Sequence, residues 1–117
     1  ASTVAPAKEN ISFEQFSGLD IRTGTILEAE KVAKTKKLLK LKIDTGIDVR
    51  TVVSGIAEFY EPEKIIGQQV SILVNLEPRE IKGILSQGMI LMAENSSGKL
   101  SFVAPTESDI NNGSVIR

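Results

Sequence analysis

Leu39-Lys40-Leu41-Lys42-Ile43-Asp44 is the stretch that decides the fold. Its apolar residues alternate with charged ones, the period of a strand with one dry and one wet face, as in antiparallel sheets. Lys40 and Lys42 then point the same way. Thr45-Gly46-Ile47-Asp48 follows as a hairpin turn into a second strand over Val49 to Ser54. Upstream, Asp20 to Val32 reads as a longer strand in which Gly24 permits a coil or bulge. The three runs together predict a meander.

Working outward, Ala57 to Ile66 contains Phe59, Tyr60 and Pro62, breaks the alternation and predicts one or two short helical turns before Gly67. Val70 to Val74 and Met89 to Ala93 read as two further buried strands, linked by a basic loop over Asn75 to Gly88. Five strands, with a helical piece between the third and fourth, predict an all-β chain folded as a five-stranded, partly open OB-fold barrel; an open sandwich is the competing architecture. Leu100 to Ala104 and Ser114 to Ile116 form a C-terminal strand extension that lengthens the barrel or pairs with another subunit. Ser12 is placed to cap a short helix with Gln15 in the capping-box position, and Phe13 and Phe16 share a face expected to pack on the domain. Residues 1–11 read as a flexible arm or linker remnant, and 12–117 as a single domain.

A chain of 117 residues buries about two thirds of its unfolded surface in one core. There is no cysteine and no histidine, which removes disulfides, thiolate metal sites and the commonest general base. No apolar run reaches transmembrane length, so no membrane is expected and a cytoplasmic setting is the default. The formal charge of -1 excludes a uniformly basic coat, but it hides an uneven distribution. Six of the ten lysines, Lys31, Lys34, Lys36, Lys37, Lys40 and Lys42, lie in residues 31–42 with no acid among them. That run makes a local basic patch, either for phosphates or simply to keep an edge strand soluble.

Catalysis finds little support. Gly83-Ile84-Leu85-Ser86-Gln87-Gly88 has the outline of a nucleophile elbow, but Ile84 stands where that turn needs glycine and no histidine can activate the hydroxyl. Glu58, Glu61 and Glu63 beside Pro62 read as a solvated face, and no phosphate loop or calcium loop is present. No cofactor is expected. Binding fits better: Arg79 and Lys82 flank the loop between the fourth and fifth strands, one of the loops with which OB folds hold ligands. Only five aromatic residues are available, none in a basic strand, which favours a folded RNA read by shape over a long single strand gripped by stacking.

Asp20-Ile21-Arg22-Thr23-Gly24, Lys37-Leu38-Leu39, Arg50 to Ile56, Gly67, Asn75-Leu76, Pro78-Arg79, Gly83 and Ser86-Gln87-Gly88-Met89 follow a known pattern in order and spacing. Over roughly residues 12–117 the chain resembles the OB-fold tRNA-binding domain found at the C-terminal end of many bacterial methionyl-tRNA synthetases. The same domain also occurs free-standing and in a human synthetase cofactor. The resemblance implies a noncatalytic module that binds tRNA by shape beside a catalytic synthetase body in cis. It also implies a homodimer joined through the C-terminal region, residues 98–117.

Carried over by position, the tRNA-contacting residues are Lys37, Arg50, Asn75, Arg79, Lys82 and Ser86, and Lys36 and Lys40 of the basic run join them. The cations would meet phosphates, and Asn75 and Ser86 would hydrogen-bond sugar or phosphate oxygens. Lys40 belongs by charge rather than motif. Two positions depart from the family: Lys36 stands where an acid is common, and Glu80 where a base is common. A histidine frequent in the loop after the first strand is replaced by the run Val32-Ala33-Lys34. Two competing readings are a secretion-related peptide chaperone of the same fold and a pure dimerisation domain.

Overall fold

The computed structural model of the protein describes residues 4–117, so the start of the expected N-terminal arm lies outside the described residues; residues 4–11 are exposed and carry no regular secondary structure. The capping box forms as read. Ser12 Oγ accepts from the Gln15 amide at 3.1 Å while Gln15 Oε1 accepts from the Ser12 amide at 2.9 Å, opening helix α1, Phe13–Ser17. Phe13 and Phe16 do share a face, with ring centroids 6.4 Å apart. Phe13 does not pack on the domain as expected, at 82% exposed, whereas Phe16 is half-buried; no residue of the helix is fully buried. A single turn that ends at Gly18 is too short to lay its apolar side against the barrel.

Strands β1 (Ile21–Lys31), β2 (Leu39–Asp44) and β3 (Val49–Ser54) form the antiparallel meander that their periodicity predicts. Leu39, Leu41 and Ile43 are fully buried, while Lys40 and Lys42 take the outer side. The turn between β2 and β3 is held by Thr45, whose hydroxyl donates to Asp48 Oδ1 at 2.8 Å, and by Gly46 at a φ of 83°. A Cβ at Gly46 would stand 2.5 Å from the Asn112 carbonyl oxygen, so glycine is required twice over. Within the barrel β1 divides between two neighbours: its first half pairs with β4 (Gln69–Leu73) and its second half with β2, with a register shift between Ile26 and Glu28. Gly24 sits where the partners change. A Cβ there would meet Ile43 Cγ2 at 2.9 Å and the Asp44 carbonyl at 3.0 Å, so Gly24 permits a close approach while the bulge itself falls near Leu27.

A 3-10 turn over Pro62–Lys64 supplies the helical piece between β3 and β4. Ile56 and Ile65 join Ile26, Val52, Val70 and Ile72 in the core. After β4 come β5 (Arg79–Ile81), β6 (Ile84–Ser86), β7 (Met89–Ile90), β8 (Met92–Glu94), β9 (Leu100–Phe102) and β10 (Val115–Ile116). The barrel strands run β3-β2-β1-β4-β7, a nearly closed five-stranded OB-like barrel. No ladder joins β3 to β7. The gap is bridged instead by the Gln87 amide on the Thr51 carbonyl at 2.8 Å and by Ser86 Oγ, which accepts from the Val53 amide at 3.0 Å.

Two features differ from the sequence reading. The run Met89 to Ala93, expected as one strand, splits: β7 stays on the barrel, whereas β8 pairs with β9, where Tyr60 and Phe102 pack at 4.7 Å. A continuously apolar run has no alternation to say where a chain changes sheets. The expected loop 75–88 contains a hairpin, β5–β6, turned by Lys82 and Gly83 at φ of 52° and 81°, the left-handed pair that a type I′ turn needs.

The C-terminal extension returns to the same chain. Thr23 Oγ1 donates to the Asn111 carbonyl and Thr25 Oγ1 to Asn112 Oδ1, both at 2.7 Å, and β10 pairs with the start of β1.

Candidate nucleic-acid interface

The outer face of β2 is where strand alternation first assembles charge. Lys40 lies across from Glu30 and Lys42 across from Glu28 on β1. Lys40 Nζ is 3.6 Å from Glu30 Oε1, with side chains 35% and 67% exposed. An exposed pair of this kind is worth about 0–1 kcal/mol and is screened by salt, so a phosphate can replace it. Among the described residues, no ion pair forms in the β1–β2 loop. This loop is folded back by the Val32 amide on the Leu38 carbonyl and by Thr35 Oγ1 on the Val32 carbonyl at 2.8 Å, with Lys34 at a φ of 64°. The Ala57 amide donates to the Lys37 carbonyl at 2.9 Å, anchoring the loop while Lys36 and Lys37 remain exposed.

The β5–β6 hairpin forms the opposite wall. Arg79 and Ile81 are two apart on β5 and share a face, whereas Glu80, opposite Leu85, takes the other. That alternation explains the residue that suited the basic surface least: Glu80 is turned away from the recess that Arg79 and Ile81 line. This recess has a volume of about 410 Å³ and is otherwise lined mainly by apolar residues of β3 and of 76–89, with Ser86 and Glu77. Lys82, at the turn, lines a second recess of about 360 Å³ together with Lys31, Lys40 and Glu30. Residues 40 and 82 are thereby brought to one depression.

The remaining three positions are engaged inside the fold. Arg50 donates from Nε to Asp48 at 3.0 Å and from Nη1 to the Val74 carbonyl, and its side chain is 22% exposed. The Arg50 guanidinium, and after it the Thr45 hydroxyl, hold the Asp48 carboxyl below the usual carboxylate range. Asn75 accepts from the Asp20 amide at 2.9 Å and donates to the Gly18 carbonyl at 2.7 Å, stapling the end of α1 to the end of β4. Ser86 is buried and closes the barrel through Val53. Sequence reasoning did not single out the apolar floor of the first recess. Its only local signal was the spacing Arg79-x-Ile81, which a strand assignment at 79–81 would have turned into a common face.

Among the described residues, no group of acids is gathered so as to hold a metal ion, and no helix is long and apolar enough to cross a membrane. A basic loop and a basic hairpin that border one recess on a small OB-like barrel define a nucleic-acid-binding class of protein. The family model described as "Putative tRNA binding domain" matches residues 21–115, and the chain belongs to this tRNA-binding family. It is 68% identical over 113 residues to a methionine–tRNA ligase of Cytophaga hutchinsonii, an alignment covering 97% of this chain and 16% of that protein. The chain therefore spans about a sixth of the length of the curated relatives it matches. A solved MetRS-related protein of Pyrococcus horikoshii is 34% identical with a TM-score of 0.87, covering 94% of this chain and all of the other. The chaperone CsaA of Bacillus anthracis is 30% identical with a TM-score of 0.84, covering 93% and 100%.

Proposed function

We propose that this chain is a noncatalytic module that grips folded tRNA by its backbone, read by shape rather than sequence, between the β1–β2 loop and the β5–β6 hairpin. The observation that carries the reading is the convergence of Lys40 and Lys82, distant in the chain, on one recess. Lys36, Lys37, Lys40, Arg79 and Lys82 meet phosphates. Arg50, Asn75 and Ser86, whose polar atoms already have partners inside the fold, act chiefly by holding the walls in place.

The high identity to methionine–tRNA ligases, of which the chain spans only a part, supports a place beside a catalytic synthetase body in cis. Tethering makes the second binding event intramolecular and raises the effective tRNA concentration at the active site. A cytoplasmic homodimer joined through the C-terminal region completes the reading. Exposed apolar residues at Phe13, Leu19, Val103 and Val115 support such a self-contact.

The test is a titration of tRNA at several salt concentrations against Lys37→Glu and Arg79→Glu. Affinity should fall comparably for tRNAs of different sequence, and the salt dependence should flatten by about one ion per cation removed. Unchanged affinity in folded protein would leave the lysines a solubilising role. The similarity to CsaA supports a second reading as a peptide chaperone. Capture of unfolded peptide without salt-sensitive tRNA binding would establish it.

A further inference from the structure

We propose that the 410 Å³ recess beside β5 receives one unstacked nucleobase of the bound RNA, with Arg79 on that nucleotide's phosphate and Glu77 on the base edge. This rests on the RNA-binding reading above and assigns a position within it. The volume lies in the range of about 300–1,000 Å³ typical of small-ligand sites, enough for a nucleotide and too little for a helix.

The chemistry of the lining matches a nucleotide part by part. Leu76, Pro78, Ile81 and Met89 supply apolar surface for a flat ring, and Met89, exposed over much of its surface, adds a polarizable thioether. Arg79 shares the face of Ile81 at the same recess, so a cation stands beside the apolar slot. Lys82, next along the hairpin, continues the positive edge toward Lys40, along the path a sugar-phosphate chain would take. Ser86 is not free to read the base, because its hydroxyl accepts from the Val53 amide and donates to the Gly88 carbonyl. Glu77 is the remaining polar reader. A carboxylate accepts hydrogen bonds from exocyclic amino groups, so it favours cytosine over uracil at this one unpaired base, while the rest of the RNA is read by shape. A base already unpaired in a folded RNA can enter at little cost. No aromatic ring lines the recess, which is why a search for stacking platforms in the sequence does not find it.

The chain has two methionines, so methyl-labelled protein reports on the recess directly. Met89 lines it, while Met92 lies on β8 opposite Phe102 and serves as the internal control. Titration with CMP should move the Met89 methyl upfield by ring current and leave Met92 in place. CMP should saturate at a concentration at least threefold below UMP, and Arg79→Ala should weaken CMP about fivefold. A whole tRNA should move the same methyl. If tRNA binds with salt sensitivity while Met89 stays put, the base site is overturned and the RNA-binding reading stands. If tRNA does not bind at all, both fall. Movement with an apolar peptide but not with either nucleotide overturns the base site in favour of a peptide groove. Equal affinity for CMP and UMP overturns the role of Glu77.

Discussion

The two walls of the binding face carry similar charge on different foundations. β2 presents Lys40 and Lys42 from a strand whose other side, Leu39, Leu41 and Ile43, is sealed in the core. The β5–β6 hairpin presents Arg79 and Lys82 from a two-stranded sheet of its own, in which Ser86 is the single buried residue. One wall is therefore positioned by the barrel's stability. The other is positioned by a turn and by the two seam bonds of Ser86 and Gln87 to β3, so its geometry can change without unfolding the domain.

The largest expected effect tests the first half of that contrast. Leu41→Ala should cost about 2–5 kcal/mol by urea denaturation, because the site is fully buried among β-strands that cannot collapse around the cavity. RNA affinity would fall only as the folded fraction falls. Ile81→Ala on the other wall should leave the denaturation midpoint nearly unchanged while weakening tRNA binding. A large stability loss there would show that the hairpin is core and not appendage.

Ser86→Ala ranks next. It leaves the Val53 amide without its acceptor at the barrel seam, a loss of about 1–3 kcal/mol. Faster amide exchange should appear at Val53 and Gln87 before β1 or β2 responds; uniform acceleration would mean that the seam is not a local device. Lys82→Asn separates turn from charge. Asparagine tolerates the left-handed conformation better than lysine, so stability should rise by less than about 1 kcal/mol while tRNA affinity drops. A rise in both would remove Lys82 from the interface.

The smallest effect concerns Asp48. Its folded carboxyl is held below the ordinary 3.8 by Arg50 and then Thr45, so its contribution is present above that value and is lost as pH falls through the lowered folded pKa. The carboxylate is 45% exposed and solvent screens it, so the effect is modest. Melting temperatures of wild type and Asp48→Asn should differ near neutrality and converge in acid. A difference independent of pH would assign the contribution to packing.

The contrast between the walls also marks what could be read in the chain. The β2 wall was legible because Leu39 to Ile43 states its own period, and the capping box at Ser12 and Gln15 likewise lies within four residues. The hairpin wall was not. Three-residue strands are too short to display alternation, and the turn at Lys82-Gly83 lacks the usual asparagine signal. Family resemblance placed Arg50, Asn75 and Ser86 at the site by position, but position does not reveal that their polar atoms are bonded to Asp48 and Val74, to Gly18 and Asp20, and to Val53.

By itself the sequence determined the β-meander, the cap, the basic run over 31–42 and the absence of histidine and cysteine chemistry. These are local properties, set by side-chain period and residue type. Only the tertiary structure decided that Lys40 and Lys82 line one recess, that Glu80 turns away from Arg79, that Phe13 stands in solvent and that an apolar recess opens beside a cation. Those depend on which strand lies beside which. Periodicity tells a residue its face but not its partner, and the partner is chosen by closing the barrel around one shared core.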